Sequence, residues 1–393
     1  MSRHKLQHLV VSAGVISANL FLLPLSANAE AGVSANQITF GQSAALSGPS
    51  KDLGLAMRLG ILAAFDEVNR QGGVSGRKLS LISKDDGYEP ENAARNTREF
   101  IKSGEIYALI GNVGTPTAKA SQPLATIHQV PFIAPFTGAA FLRRPELSNV
   151  INVRASYEQE AEAWARYAVD TKKLKRIAIF YQDDSYGHAG LDGLNKALER
   201  RNMKLIAKGT YHRNKLDVQS AVNEISLAKP EAVAMVGSYK ACAEFIRRSK
   251  EAGVNGLFLN LSFVGSRSLS KALGSHKEGV IISEVVPNPQ DSSLLTRKYR
   301  QALGGIAPSE QPGFVSLEGY IAGRLATDVL KRIDGKITRE KFLLTLKQSR
   351  WFDVDGLKLQ FGPNDNQGLD IVHLTVIEAR GEIRSITDLT PIY

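Results

Sequence analysis

Nearly every signature of covalent or cofactor chemistry is missing from this 393-residue chain. It has one cysteine, Cys242, which excludes an internal disulfide. That residue lies in the helical stretch Ala241-Cys242-Ala243 and reads as a small buried apolar group. Seven histidines (His4, His8, His128, His188, His212, His276 and His373) form no metal-ligand pair at helical spacing. Neither a Gly-x-Ser-x-Gly elbow nor a Cys/His signature is present. Gly-x-Gly-x-x-Gly and Walker loops are also missing, so nucleotide cofactors have no foothold. The acid pairs Asp85-Asp86 and Asp183-Asp184 read as caps and turn acceptors after strands. The sequence therefore predicts no metal, no cofactor and no catalytic residue.

Long apolar runs are lacking too, once the first thirty residues are passed. Those thirty have a basic start at Arg3 and Lys5, an uncharged stretch from Leu9 to Ala29, and Ala27-Asn28-Ala29 before Glu30. This is the layout of a secretory signal peptide, predicted to be removed as residues 1–29. Ser12, Ser17, Asn19, Ser26 and Asn28 dilute the stretch below what a permanent span of ~20 apolar residues requires. With no cysteine after the cleavage point, a lipid anchor is not expected. Roughly 360 residues then remain, enough for two domains. The formal charge of +10 is scattered, with Arg143-Arg144, Lys172-Lys173, Arg200-Arg201 and Arg247-Arg248 in separate contexts. Solvated faces explain them better than a nucleic-acid surface.

What is present is alternation. Short β-rich runs (Ile38–Gln42, Leu79–Lys84, Tyr107–Asn112, Pro131–Phe136, Arg176–Tyr181, Ala232–Val236, Leu257–Leu261, Val280–Val285) are separated by segments of helical period. The class is α/β, with parallel sheets and right-handed crossovers. The pattern restarts after about residue 155, which predicts two doubly wound lobes. Their expected composition is 36–154 plus 286–350 for one and 155–285 plus 351–393 for the other. No Gly/Ser or Pro-rich linker separates them, so a hinge of short segments is expected.

Ligands of open parallel sheets sit beyond the carboxyl ends of the strands. Those ends run into Ser43 through Pro49, Asp85 through Tyr88, Gly111 through Thr117 and Pro135 through Gly138. In the second block they run into Gln182 through Gly187, Gly237-Ser238-Tyr239 and Leu261-Ser262-Phe263. Hydroxyls, aromatics and glycines gather there while strand interiors are aliphatic, the mixture that small-molecule sites use. Thr115-Pro116 reads as an N-cap followed by a first-turn proline. The helix start behind it suits a carboxylate.

The ordered series Leu46-Ser47-Gly48-Pro49, Asn69 through Leu79, Asp85-Asp86, Gly111 through Thr117, Pro131 through Pro135, Asp184 through Gly187, and Phe314 with Glu318-Gly319-Tyr320 resembles the type I periplasmic binding proteins. The likeness is to the leucine/isoleucine/valine-binding branch of ABC importer receptors and spans essentially all of the chain after residue 29. It implies two Rossmann-like lobes joined by a three-crossover hinge and closing on a solute. By position it implies that Thr115 bonds a ligand carboxylate and that Phe136 and Thr137 hold the ligand's polar end. Tyr186 and Tyr239 would be the second lobe's aromatics, and Phe314 an apolar contact near the hinge. The pattern departs at Ser262, where amino-acid receptors commonly carry an acid for the α-ammonium. A buried ammonium needs a paired acceptor, so Asp184, Glu158 or Glu284 substitutes, or the ligand lacks that group. Other departures are Gly138 in place of threonine, Tyr88 and Gly114 in place of two cysteines, and Leu53 in place of an aromatic. The expected function is periplasmic capture of a branched-chain amino acid or related small carboxylate, by a monomer that docks to an importer permease. The same fold serving a chemoreceptor or sensor kinase, or a periplasmic hydrolase, are the alternatives.

Overall fold

The computed structural model describes residues 30–387, and the expected leader, 1–29, lies outside them. The chain opens with β1 (Gln37–Ala44), α1 (Lys51–Arg70), β2 (Lys78–Asp85), α2 (Pro90–Ser103), β3 (Ala108–Ile110), α3 (Thr115–Ile127), β4 (Phe132–Ile133) and β5 (Val150–Ile151). These strands form one parallel sheet in the order β2-β1-β3-β4-β5. Local chemistry sets the element ends. Helix α2, for example, starts at Pro90 and stops at Gly104 in the left-handed conformation, as a residue without Cβ permits.

The second block repeats the plan. It contains α4 (Tyr157–Ala165, continued by a π-helical turn over Arg166–Thr171), β6 (Ile177–Gln182), α5 (Ser185–Glu199), β7 (Ala207–Tyr211) and α6 (Gln219–Leu227). Next come β8 (Ala232–Val236), α7 (Tyr239–Glu251), β9 (Leu257–Asn260), α8 (Ser266–Leu273) and β10 (Ile281–Glu284). All five residues of β8, Ala-Val-Ala-Met-Val, are buried, because helices cover both faces of a parallel sheet. Helix α4 is started by a capping box between Ser156 and Gln159.

The remainder is α9 (Leu294–Ile306), α10 (Phe314–Lys331), α11 (Arg339–Ser349), the hairpin β11 (Trp351–Val354) and β12 (Leu357–Gln360), β13 (His373–Ile377) and β14 (Ile383–Ser385). Strands β13 and β14 add antiparallel to the second sheet, giving β14-β13-β10-β9-β8-β6-β7. The hairpin makes a small sheet of its own and packs against α10. Helices α9 and α10 return to the first lobe and lie against α1. Glycine makes that approach close: a Cβ at Gly60 would stand 1.9 Å from the Ser316 carbonyl, and one at Gly319 2.3 Å from that of Met57.

The chain thus passes between sheets three times, after β5, after β10 and after β12. The first and third passages run side by side, where Asn152 N–H donates to the Asn366 carbonyl and Gly368 N–H to that of Asn152, both at 2.8 Å. The two parallel cores share one strand order, β2-β1-β3-β4-β5 and β7-β6-β8-β9-β10. Each reverses direction beside its first strand, and crevices form at such switch points. Four strands were not predicted from the sequence: two-residue β5, edge strand β7 with the half-exposed run Ala-Lys-Gly-Thr-Tyr, β11 of the hairpin, and the short edge strand β14.

Candidate functional site

From the first lobe, the segments after β3 and β4 bring Thr115, Phe136 and Thr137 together. Thr115 is the first residue of α3 rather than its cap; Gly114, at φ 107°, precedes the helix, and no side chain caps it. This corrects the expected N-cap. Freed from capping, the Thr115 hydroxyl lies 2.6 Å from that of Thr137. The Tyr157 phenol joins them, and both threonine hydroxyls pull on its pKa, which burial raises. Its oxygen is nevertheless without a directed hydrogen bond. Two of the sequence departures have their physical reason here. A Cβ at Gly138 would stand 2.5 Å from the Tyr157 ring, and one at Gly114 2.3 Å from the Tyr88 ring. Glycine at these positions makes room for two tyrosines. Backbone strain accompanies them, with Tyr88 at φ 63° and Ala134, ahead of Pro135, at φ 46°.

From the second lobe, Tyr186 stands at the start of α5 with Asp184 as its N-cap. Its ring is 4.6 Å from that of Phe263 and 5.5 Å from that of Tyr157. Phe263 also meets rings of the opposite lobe, Phe136 at 5.3 Å and Tyr88 at 5.9 Å. Rings at these separations and tilts attract beyond their buried area. Tyr239 begins α7 and is buried beside Asp52 of α1, with its hydroxyl lacking a directed bond. Phe314, at the start of α10, is set apart: it lines a groove of about 320 Å³ with Asp52, Leu55, Arg267 and Gln311.

Ser262, after β9, is held in a charged cluster at the hinge. Its N–H and hydroxyl both donate to Glu160, at 2.8 and 2.9 Å, while its hydroxyl accepts from Arg154 at 2.8 Å. Arg154 also pairs with Glu318 of α10 (Nε to Oε1, 3.0 Å), and its guanidinium lies 4.4 Å from the Phe136 ring centroid. Burial opposes its charge, yet Glu318 and Glu160 keep its pKa above the ordinary value. Burial lifts both of those carboxyls. Of the acids considered as substitutes at Ser262, Glu158 is on the surface with Lys196, 2.6 Å away. Glu284 accepts from Ser266, and burial pushes its carboxyl well up. Asp184 is engaged by Tyr186 N–H, Gln182 and Arg213.

A second polar contact bridges the lobes at the rim. Arg213, after β7, reaches Glu89 at 2.8 Å and Asp184 at 3.0 Å, and Asn214 donates to the Gly87 carbonyl at 3.0 Å. Thr115, Thr137, Phe136 and Tyr186 are fully buried, and Tyr239 and Ser262 nearly so. The site is therefore shut between the lobes.

Sequence reasoning did not single out Tyr157, Phe263, Arg154, Glu160 or the rim contact. Phe263 was within reach of the strand-end rule, as Ser262's neighbour. Arg154 carried a signal as the lone charge in Val150-Ile-Asn-Val-Arg-Ala155. Glu160 had none beyond its place in an acidic helix turn.

Two doubly wound lobes with polar and aromatic strand ends facing each other define a protein that encloses a small solute. The chain belongs to the periplasmic binding protein family, whose model matches residues 37–382. It is similar to a possible leucine/isoleucine/valine-binding protein of Rhodopirellula baltica SH 1, at 38% identity and TM-score 0.85 over 91% of this chain and 98% of that one. A substrate-binding periplasmic protein of Ralstonia solanacearum matches at 26% identity and TM-score 0.82, over 88% and 99% of the two chains. The Leu/Ile/Val-binding protein of Citrobacter freundii is 24% identical over 245 residues; the match spans 61% of this chain and 65% of that protein.

Proposed function

We propose that this chain is the exported solute-binding component of an ABC importer and captures a small organic carboxylate between its lobes. The observation that carries the proposal is the hydroxyl group of three, Thr115, Thr137 and Tyr157, at the start of α3, faced by Tyr186 and Phe263 of the other lobe. The first turn of a helix has N–H groups without intrahelical partners and a positive dipole end, so an anion is favoured there. Hydroxyls donate to the same oxygens, and rings from the second lobe exclude water. Solute enters the open cleft and binds the α3 side first. Lobe closure follows because the closed state makes more contacts with it, a population shift driven by differential affinity. Arg213 and Asn214 then clasp Glu89 and Gly87 across the rim.

The names of the Rhodopirellula and Citrobacter relatives support an amino-acid-like solute. In this reading residues 1–29 direct export and are removed, and the closed lobe pair, a monomer, docks to a membrane permease. A thermal-shift screen of amino acids and of carboxylic acids, followed by small-angle scattering of each hit, tests it. A solute of the proposed kind raises Tm and shrinks the radius of gyration. If no carboxylate does either, the proposal fails; turnover of a hit would replace it with an enzyme.

A further inference from the structure

Around Ser262, every carboxylate that could take a ligand ammonium already has partners. Glu160 receives Ser262 N–H, the Ser262 hydroxyl and the Ser283 hydroxyl. Glu318 is paired with Arg154, Glu284 with Ser266, and Asp184 with Arg213 and Gln182. Arg154, 1% exposed, places its own positive charge where an ammonium would otherwise be needed. A second cation brought into that space would meet the guanidinium and compete with it for Glu318, whose Oε1 lies 3.0 Å from Arg154 Nε.

Donor capacity, by contrast, is left over. The Arg154 Nη1 nitrogen and the Tyr157 phenol have no hydrogen-bond partner, and both side chains are 1% exposed. Arg154 lies 4.4 Å from the Phe136 ring centroid and Tyr157 5.5 Å from the Tyr186 ring, and the Phe136 and Tyr186 rings both meet Phe263. The spare groups therefore lie close together, between the hydroxyls of Thr115 and Thr137 and the rings of Tyr88, Phe136, Tyr186 and Phe263. Two of those rings come from each lobe, so closure brings them together from opposite sides.

We infer that the ligand is an aromatic carboxylic acid without an α-ammonium, its carboxylate on Thr115, Thr137, Tyr157 and Arg154 and its ring among Tyr88, Phe136, Tyr186 and Phe263. The inference rests on the proposed function and narrows its solute class. A carboxylate gains donors that are otherwise unsatisfied. An α-amino acid brings the same carboxylate but buries an ammonium that must compete with Arg154 and the serines for the carboxylates around Ser262. Ring-to-ring attraction favours an aromatic body over a branched aliphatic one.

Calorimetric titration of the purified protein with two matched pairs tests the inference: 3-phenylpropionate against L-phenylalanine, and 4-methylpentanoate against L-leucine. Each acid is expected to bind at least about 100-fold tighter than its amino partner, since a buried charge without a partner is heavily penalised. Of the two acids, 3-phenylpropionate is expected to be the tighter. Equal or tighter binding of either amino acid overturns the inference and leaves the proposed function standing. Tighter binding of 4-methylpentanoate overturns the aromatic assignment. Should none of the four bind, the inference falls, and the wider screen of amino acids and carboxylic acids decides the proposed function separately. Tyr157→Phe removes one donor and little volume, and is expected to weaken 3-phenylpropionate by about tenfold. Unchanged affinity in that variant overturns the placement of the carboxylate.

Discussion

The two polar ends of the interlobe cluster differ in what they leave unused. At the start of α3, Thr115, Thr137 and Tyr157 crowd their hydroxyls together with a phenol still short of a partner. At the end of β9, Ser262, Glu160, Arg154 and Glu318 hold one another across the hinge, with the Arg154 Nη1 nitrogen left over. Unspent hydrogen-bonding capacity in a buried place is costly unless something arrives to use it. The α3 end thus offers its hydroxyls to a visitor, while the β9 end holds the fold together and spares one guanidinium nitrogen.

That contrast breaks most clearly at Arg154. Arg154→Met leaves Glu318 and Glu160 buried without their cation and is expected to cost about 3–5 kcal/mol of stability, read as a lower urea midpoint. A variant as stable as the parent would mean that the β9 cluster is not structural. Thr115→Val should do the opposite: Tm close to the parent's, but 3-phenylpropionate bound about 10- to 100-fold more weakly in calorimetry. Loss of stability without loss of affinity would reverse the roles of the two ends.

Asp86 sharpens the comparison through pH. It lies behind the first-lobe loops, bonded to Ser43 and to Tyr88 N–H at 2.8 Å each, and burial pushes its carboxyl up to about 7. A group whose pKa is raised by folding contributes stability that is full below its unfolded value of 3.8 and lost as pH rises through about 7. The raised carboxyls of Glu160 and Glu318 act in the same direction. Thermal unfolding should therefore show higher stability near pH 5 than near pH 8, and Asp86→Asn should remove about 1–2 kcal/mol of that difference. An unaltered slope would assign the dependence to the hinge acids instead.

The smallest effect is expected at the rim. Arg213→Ala removes partly exposed ion pairs to Glu89 and Asp184, worth about 0.2–1 kcal/mol. Stopped-flow release of 3-phenylpropionate should accelerate by up to about fivefold, more at low salt than at high. An unchanged release rate would show that the aromatic contacts alone hold the lobes shut.

Much of this was legible in the chain. Apolar runs such as Ala232–Val236 and Ile177–Phe180 announced buried strands, and helical spacing between them announced crossovers. Thr115, Phe136, Thr137, Tyr186 and Ser262 were named at strand ends, where hydroxyls and aromatics gather, and the fold buries all five between the lobes. Phe314 was named by resemblance, and the fold sets it in a neighbouring groove. Thr115 was expected to cap a helix, but the left-handed Gly114 takes that position and turns its hydroxyl toward Thr137.

By itself, the sequence determined the class, the doubling of the lobes and the short list of strand-end residues, because hydrophobic period and turn chemistry are local. Tertiary structure alone decided which of those residues meet. Arg154 lies 164 positions before Glu318 and 108 before Ser262, and no local pattern records such pairings. Phe263 touches Phe136 and Tyr88 only once three passages have folded one lobe over the other. Charge balance between the lobes depends on those long-range encounters, which is why Ser262 raised the question of a ligand ammonium but only the folded molecule showed how the surrounding acids are engaged.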